Sequence, residues 1–324
     1  MTRRRFFAST LAGVGLLITA GWPGTGRAQT RISRVGVLMI DGSPQWLEPF
    51  QRALYDQGWI EGQNLTTEIR TARDDQGFAN AAAEFTRLRV DAIFAVGPPA
   101  VRATRVAAQA IPLVAIDLET DPKAAGYIET YSRPGGYVTG VFLDMPELAG
   151  KWIELLKSLV PGLVRVAVLW DPASGSAHLE AIRAVAPAFG VQLRTLEVRT
   201  PADIDKAFAS LRARSQAFVI LPSPMMYVQS AQVAKLARKH RLPGISMLRP
   251  FSEAGGTLAY GPDMPSMEQR CAVIVGKILG GAKPGDIPVE RPTNFELIVN
   301  LKAAHALGLE VPQAILLSAN QVIK

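Results

Sequence analysis

Short apolar runs alternate with alanine-rich stretches of helical spacing along the chain from residue 34 onward. The runs Arg34-Val35-Gly36-Val37-Leu38 and Arg165-Val166-Ala167-Val168-Leu169 open two halves of similar design. Each leads into a polar turn with serine, Asp41-Gly42-Ser43 in one and Asp171-Pro172-Ala173-Ser174 in the other. A helix follows each turn: Leu47, Phe50 and Leu54 share one face in the first, and Leu179, Ile182 and Phe189 in the second. Gly58 and Gly190 stand where helix-ending glycines belong. Further strands are predicted at 65–69, 91–96 and 111–116 in the first half, and at 191–198, 216–221 and 242–247 in the second. Helices are predicted at 78–88, 99–109, 202–212 and 227–239. Strand and helix in alternation, with strands apolar nearly throughout, specify a parallel sheet covered on both faces. A pattern written twice specifies two such α/β lobes.

Open parallel sheets bind ligands beyond the carboxyl ends of their strands. Two lobes that oppose those ends would form a cleft from loops 41–46, 97–100 and 117–121 on one side and 171–176, 222–226 and 248–251 on the other. The candidate ligand contacts of the first lobe are Ser43, Trp46, Gly97, Pro98, Pro99, Asp117 and Thr120. Those of the second are Trp170, Asp171, Ser174, Ser223, Pro224, Met225 and Ser246, with Tyr260 near a crossing between the lobes. Pro99 suits the first turn of a helix, whose free N–H groups with Ser43 would hold a carboxylate. Ser43 suits a plain helix cap equally well. The tryptophans and Tyr260 offer flat faces to an apolar ligand. Met225 suits an adaptable pocket wall or a core position alike.

The 324 residues are 48% hydrophobic and 19% charged, a globular composition. The formal charge of +7 is concentrated at the start: Arg3, Arg4, Arg5 and Arg27 fall in the first 28 residues, which hold no acid. The remainder has 31 basic and 28 acidic residues, so nothing electrostatic points to nucleic acid. A basic start, an apolar run over 11–20 and Gly26-Arg27-Ala28 read as an export signal over residues 1–28, with the paired arginines of a twin-arginine address. The destination this implies is the periplasm. No apolar run reaches the roughly 18 residues that span a bilayer, so no membrane insertion is expected after signal removal. The single cysteine, Cys271, lies in an apolar helical pattern and reads as a buried, inert thiol.

Catalytic signatures are missing. No Gly-x-Gly-x-x-Gly follows a strand, and neither a phosphate loop nor a nucleophile elbow occurs. His178, His240 and His305 lack metal-ligand spacing; the first two read as solvated helix positions and the third as structural. A nucleophile built from Ser174 and His178 would need an acid that the sequence does not identify. No catalytic residue, metal or cofactor is expected.

A series of motifs then carries a resemblance. It comprises Gly58-Trp59-Ile60-Glu61-Gly62-Gln63-Asn64-Leu65, Arg133-Pro134-Gly135-Gly136, Glu147-Leu148-Ala149-Gly150-Lys151 and Leu159-Val160-Pro161-Gly162. Lys239-His240-Arg241-Leu242-Pro243, Phe251-Ser252-Glu253-Ala254-Gly255-Gly256, Tyr260-Gly261-Pro262 and Pro292-Thr293-Asn294-Phe295-Glu296-Leu297 complete it. From about residue 34 to the end, the chain resembles the exported substrate-binding proteins of ABC importers, in the family of tryptophan- and tyrosine-type binding components. The resemblance implies a type I periplasmic-binding fold of two lobes with three crossovers. It places 31–143 with 259–285 in the N-terminal lobe, and 144–258 with 286–324 in the C-terminal lobe. It also implies a small-molecule ligand such as an aromatic or hydrophobic amino acid or related carboxylate, a permease and an ATPase as partners, and a monomer. The chain departs from the family's common pattern at Tyr137 and Asp171, each in place of Asn, and at Ser223 in place of Asp. A ligand ammonium would then meet Asp171 or Asp117 instead, or the ligand would have no amino group. An exported hydrolase using Ser174 and Asp171, and a sensor for a membrane kinase or chemoreceptor, are the alternatives.

Overall fold

The computed structural model describes residues 31–41, 47–143, 147–211 and 214–324. The first sheet forms from β1 (Ser33–Ile40), β2 (Leu65–Ala72), β3 (Ala92–Val96), β4 (Leu113–Asp117) and β5 (Val138–Phe142), with helices α1 (Leu47–Asp56), α2 (Asp75–Leu88) and α3 (Pro98–Ala107) between them. Its order is β2-β1-β3-β4-β5, all parallel. Every residue of β3, β4 and β5 is buried, as strands sandwiched between helices must be. Phe50 of α1 stacks on Phe94 of β3 with ring centroids 4.3 Å apart.

The second lobe begins with α4 (Glu147–Leu159) and continues through β6 (Arg165–Trp170), α5 (Ala177–Val185), β7 (Gln192–Glu197), α6 (Pro201–Leu211) and β8 (Ala217–Ile220). Next come α7 (Pro224–Val228), α8 (Ser230–His240), β9 (Gly244–Ser246), α9 (Pro250–Glu253) and β10 (Leu258–Pro262). After α10 (Met264–Leu279), the chain ends with β11 (Phe295–Asn300), α11 (Leu301–Ala306), α12 (Gln313–Ser318) and β12 (Gln321–Ile323). The second sheet has the order β12-β11-β10-β9-β8-β6-β7. It is parallel except where β11 runs against β10. The single helix expected at 227–239 is two, broken at Gln229, which ends α7 and starts α8.

Helix α10 returns to the first lobe, where it packs along α1 and against β3, β4 and β5. A Cβ on Gly276 would meet the Gln57 side-chain oxygen at 2.2 Å, so the glycine leaves room for that side chain. Cys271 is fully buried on this helix, and burial pushes its thiol pKa far up.

The passages between the sheets differ in place from the sequence expectation. Strand β10 pairs wholly in the second sheet, so the chain crosses after Pro262, not before 259. The segment 285–290 lies along the outer edge of β5: Gly135 N–H donates to the Gly285 carbonyl (3.2 Å), Thr139 Oγ1 to the Ile287 carbonyl (2.9 Å) and Glu290 N–H to the Gly140 carbonyl (2.9 Å). The return to the second lobe therefore follows Glu290 and not 285. The cause is the open edge of β5, whose unpaired polar backbone needs partners that a passing segment supplies.

Candidate ligand-binding site

Strand order reverses between β1 and β3 in the first sheet and between β6 and β8 in the second. Loops at such switch points splay apart and leave a crevice. The two crevices meet. A small hollow of about 40 Å³ lies between them, with Val96, Gly97, Leu118 and Glu119 from the first lobe facing Ser223, Pro224 and Tyr227 from the second. Through Tyr227, Leu248 and Met264 it adjoins a larger hollow of about 510 Å³, lined also by Pro49, Ser230, Arg249, Pro250, Glu253, Glu268 and Glu296. That volume falls within the roughly 300–1,000 Å³ of small-molecule sites.

The lobes touch across this cleft. His178 Nε2, at the start of α5, lies 2.5 Å from the Leu118 carbonyl oxygen of the first lobe. This histidine, expected to be solvated, is mostly buried, and burial lowers its pKa. The reason is tertiary: Trp152 of α4 packs beside it with centroids 6.1 Å apart, and the first lobe covers its outer edge. Gly97 makes the other close approach, since a Cβ on it would sit 3.5 Å from Pro224 Cγ.

Of the sequence-derived candidates, Ser43 and Trp46 lie outside the described residues. Gly97, Ser223 and Pro224 line the small hollow. Pro98 and Pro99 occupy the first two positions of α3. Proline has no N–H, and Val101 N–H already bonds the Gly97 carbonyl at 3.1 Å, so this turn offers a carboxylate little. Asp117 is fully buried, and its Oδ1 accepts from the backbone N–H groups of Glu119 (3.1 Å) and Thr120 (2.9 Å). Asp117 Oδ2 has no partner, whereas both oxygens of Asp171 are committed: Oδ1 accepts from Ala173 N–H at 3.0 Å and Oδ2 from Ser223 Oγ at 2.9 Å. Ser223 caps α7 by accepting from Met226 N–H at 3.1 Å. Serine at 223 thus satisfies Asp171 internally.

Trp170 turns its Nε1–H onto the Gly175 carbonyl at 2.7 Å and closes its own loop. Ser246 accepts from Leu248 N–H at 3.1 Å. Met225 packs against the core of the second lobe. Tyr260 stacks near Phe295 (6.2 Å), and its carbonyl accepts from Trp152 Nε1 at 2.8 Å. Ser174 Oγ is buried without a partner, and His178 spends Nε2 on the Leu118 carbonyl, so the pair is not assembled as nucleophile and base.

The sequence reading missed Glu119 and Glu268. Both are nearly fully buried and line the cleft. Burial holds Glu119 well above the ordinary carboxylate range, with the charges of Asp117 and Asp171 adding to it. Burial likewise raises Asp117 to about 6, against the pull of the backbone N–H groups it accepts from. An acid with a raised folded pKa binds its proton more tightly folded than unfolded. Its stabilising contribution is complete below the unfolded value near 4 and is lost as pH rises toward the folded one. The ligand-free protein should therefore lose stability as pH rises from about 4 through the value of about 6 for Asp117. Glu119→Gln, which keeps an oxygen for Leu118 N–H, should flatten that decline. At pH 7.5 it should be more stable than the parent in urea unfolding. A loss at pH 7.5 would contradict the assignment of Glu119 as an uncompensated buried acid.

Among the described residues, no helix is long and apolar enough to cross a membrane. The sequence profile of a family described as ABC transporter substrate binding protein matches residues 35–323. A tyrosine-binding protein of Clostridioides difficile (strain R20291) is 23% identical over 266 residues, covering 81% of this chain and 76% of the relative. A Streptococcus pneumonia ABC domain solved in complex with L-Trp superposes with a TM-score of 0.84 at 22% identity, over 90% of this chain and all of that one. A conserved domain protein from Vibrio cholerae gives 0.82 at 24%, with the same coverage. The fold is that of the type I periplasmic-binding proteins.

Proposed function

Starting from the premise that the chain belongs to the ABC transporter substrate-binding protein family, we propose that it is the extracytoplasmic solute receptor of an importer and captures a small amine-bearing solute of amino-acid size. The observation that carries this reading is the cleft itself. It is walled by both lobes, apolar at Leu248, Pro250 and Met264, and bordered by the buried carboxyls of Glu119 and Glu268. Such carboxyls favour a cationic partner, since burial makes their charge costly until one arrives. The tyrosine-binding relative and the L-Trp complex agree with an amino acid as that solute.

In this reading the first lobe comprises 31–143 and 263–290, and the second 144–262 and 291–324. A ligand entering the open cleft is gripped from both sides. Closure brings His178 onto the Leu118 carbonyl and Pro224 against Gly97, and the ligand stabilises the closed form by bridging both walls. The closed form then docks on a permease served by an ATPase. Residues 1–28 act as the export signal, by the twin-arginine route, and deliver a monomer to the periplasm.

Thermal unfolding of the mature protein, stripped of carried-over ligand by unfolding and refolding, tests the reading. A ligand at a hundredfold excess over its Kd should stabilise the folded state by about 2.7 kcal/mol. L-tyrosine, L-tryptophan and L-leucine are the first compounds to add. No rise in midpoint with any amino acid or amine would refute capture of this solute class.

A further inference from the structure

Glu268 stands on the second turn of α10, after the Asp263 cap. It is 1% exposed, its Oε1 has no hydrogen-bond partner, and it lines the hollow of about 510 Å³. Its neighbours along the helix, Met264, Met267, Cys271 and Val275, form an apolar stripe that packs into the first lobe. A carboxyl in such a stripe costs stability, and leucine would fit the local pattern better. Asp117 and Asp171 are buried too, and Asp117 Oδ2 likewise has no partner, but both accept from turn N–H groups, Asp171 also from Ser223, and neither lines either hollow. Among the carboxyls that line the two hollows, Glu119 accepts from Leu118 N–H at 3.2 Å and Glu253 and Glu296 pair with Arg249, whereas Glu268 Oε1 is buried without a partner.

The surroundings indicate what it awaits. Glu253 and Glu296 line the same hollow, and the cation there, Arg249, already pairs with them at 3.1 Å and 3.7 Å. Asp263, which caps the helix, is the charge that acts on Glu268; Glu296 on β11 and Glu253 on α9 line the same hollow and share Arg249. Tyr227 of α7 also faces the hollow, and α1 contributes the uncharged Pro49. An anionic or merely polar ligand group would gain little there.

We infer that Glu268 is the acceptor for the ligand's cationic nitrogen, so the protein selects primary amines, and the ammonium contact lies on α10 of the first lobe and not on Asp171 or Asp117. This rests on the receptor reading above and names the substrate class for that site. Burial and the Asp263 charge push the Glu268 carboxyl up to about 9, so the free protein holds it protonated at neutral pH. When an ammonium binds, the carboxyl gives its proton to solvent and pairs as carboxylate, and each amine bound releases about one proton.

Titration calorimetry on the refolded mature protein tests this, in two buffers of different ionisation heat. The probes are L-tyrosine, tyramine and 3-(4-hydroxyphenyl)propionate, with L-leucine, isoamylamine and 4-methylpentanoate as the aliphatic set. The amine-bearing probes should bind, and the amine-free acids should be at least about a hundredfold weaker. Glu268→Gln should weaken the amines by about ten- to a hundredfold and abolish proton release, with a midpoint of unfolding no lower than the parent's. Asp171→Asn should leave the proton release intact. Amine affinity within about twofold of the parent in Glu268→Gln, or amine-free acids that bind as tightly as amines, would overturn the assignment while the receptor reading stands. Binding by no probe of either set would overturn both.

Discussion

Valine in place of Gly140 is expected to prevent stable folding of the mature protein. Gly140 lies in β5 with φ of +135°, and a Cβ there would fall 2.1 Å from the Ala115 carbonyl oxygen and 2.5 Å from the Ala115 nitrogen. Both contacts are with backbone in the centre of the neighbouring strand, which has no free direction to yield. The same residue accepts the Glu290 N–H that ties the returning segment to the sheet edge. Positive φ on a β-branched residue costs about 1–3 kcal/mol by itself, and the clash adds the overpacking penalty of a close-packed core. A total loss above about 4 kcal/mol in urea unfolding is expected, or no folded protein at all. Gly136→Ala is the control, because a Cβ there meets nothing within 4 Å. It should change stability by less than about 0.5 kcal/mol. If Gly140→Val costs no more than the control, the close approach of β4 and β5 is wrong.

The second large effect is on binding. Gly97 ends β3 at the cleft, with φ of +89°, and its N–H donates to the Ile116 carbonyl at 2.8 Å. A Cβ would already be in van der Waals contact with Pro224 of the opposite lobe, so the two methyls of valine are expected to press on that contact. Gly97→Val should lose about 1–3 kcal/mol of stability from the backbone and at least tenfold in ligand affinity from impeded closure. Small-angle scattering should show that the variant fails to contract at saturation. Gly126→Ala separates the two effects, since its φ of +67° is also positive but a Cβ there meets nothing. It should lose stability and keep its affinity. Equal affinity in Gly97→Val and the parent would mean that the lobes do not approach each other at this point.

Much of the fold was legible because its signals are local. Val35, Val37, Val166 and Val168 mark strand positions through their spacing, and each lies fully buried in the expected strand. The turn at Gly190 obeys near-neighbour rules as well. Legibility fell at the crossings. Whether the 285–290 segment belongs to one lobe or the other depends on the unpaired edge of β5, some 150 residues earlier in the chain. The acids of the site were legible only by type. Asp171 looked free in sequence because its partner, Ser223, lies 52 residues away. Glu268 did carry a signal, a glutamate within the apolar stripe of Met264, Met267 and Cys271, which the helical pattern makes visible once the helix is known to be buried on that face.

By itself, then, the sequence determined the repeated strand–helix order, the two sheets and the family, because hydrophobic periodicity, helix caps and motif order depend on residues close together in the chain. The tertiary structure alone decided which carboxyls have partners and which are buried without one, where His178 and Gly97 meet the other lobe, and how the chain passes between the sheets. Those are properties of pairs that folding brings together from distant places, and the cost of a buried charge or an unpaired edge exists only once both partners are in position.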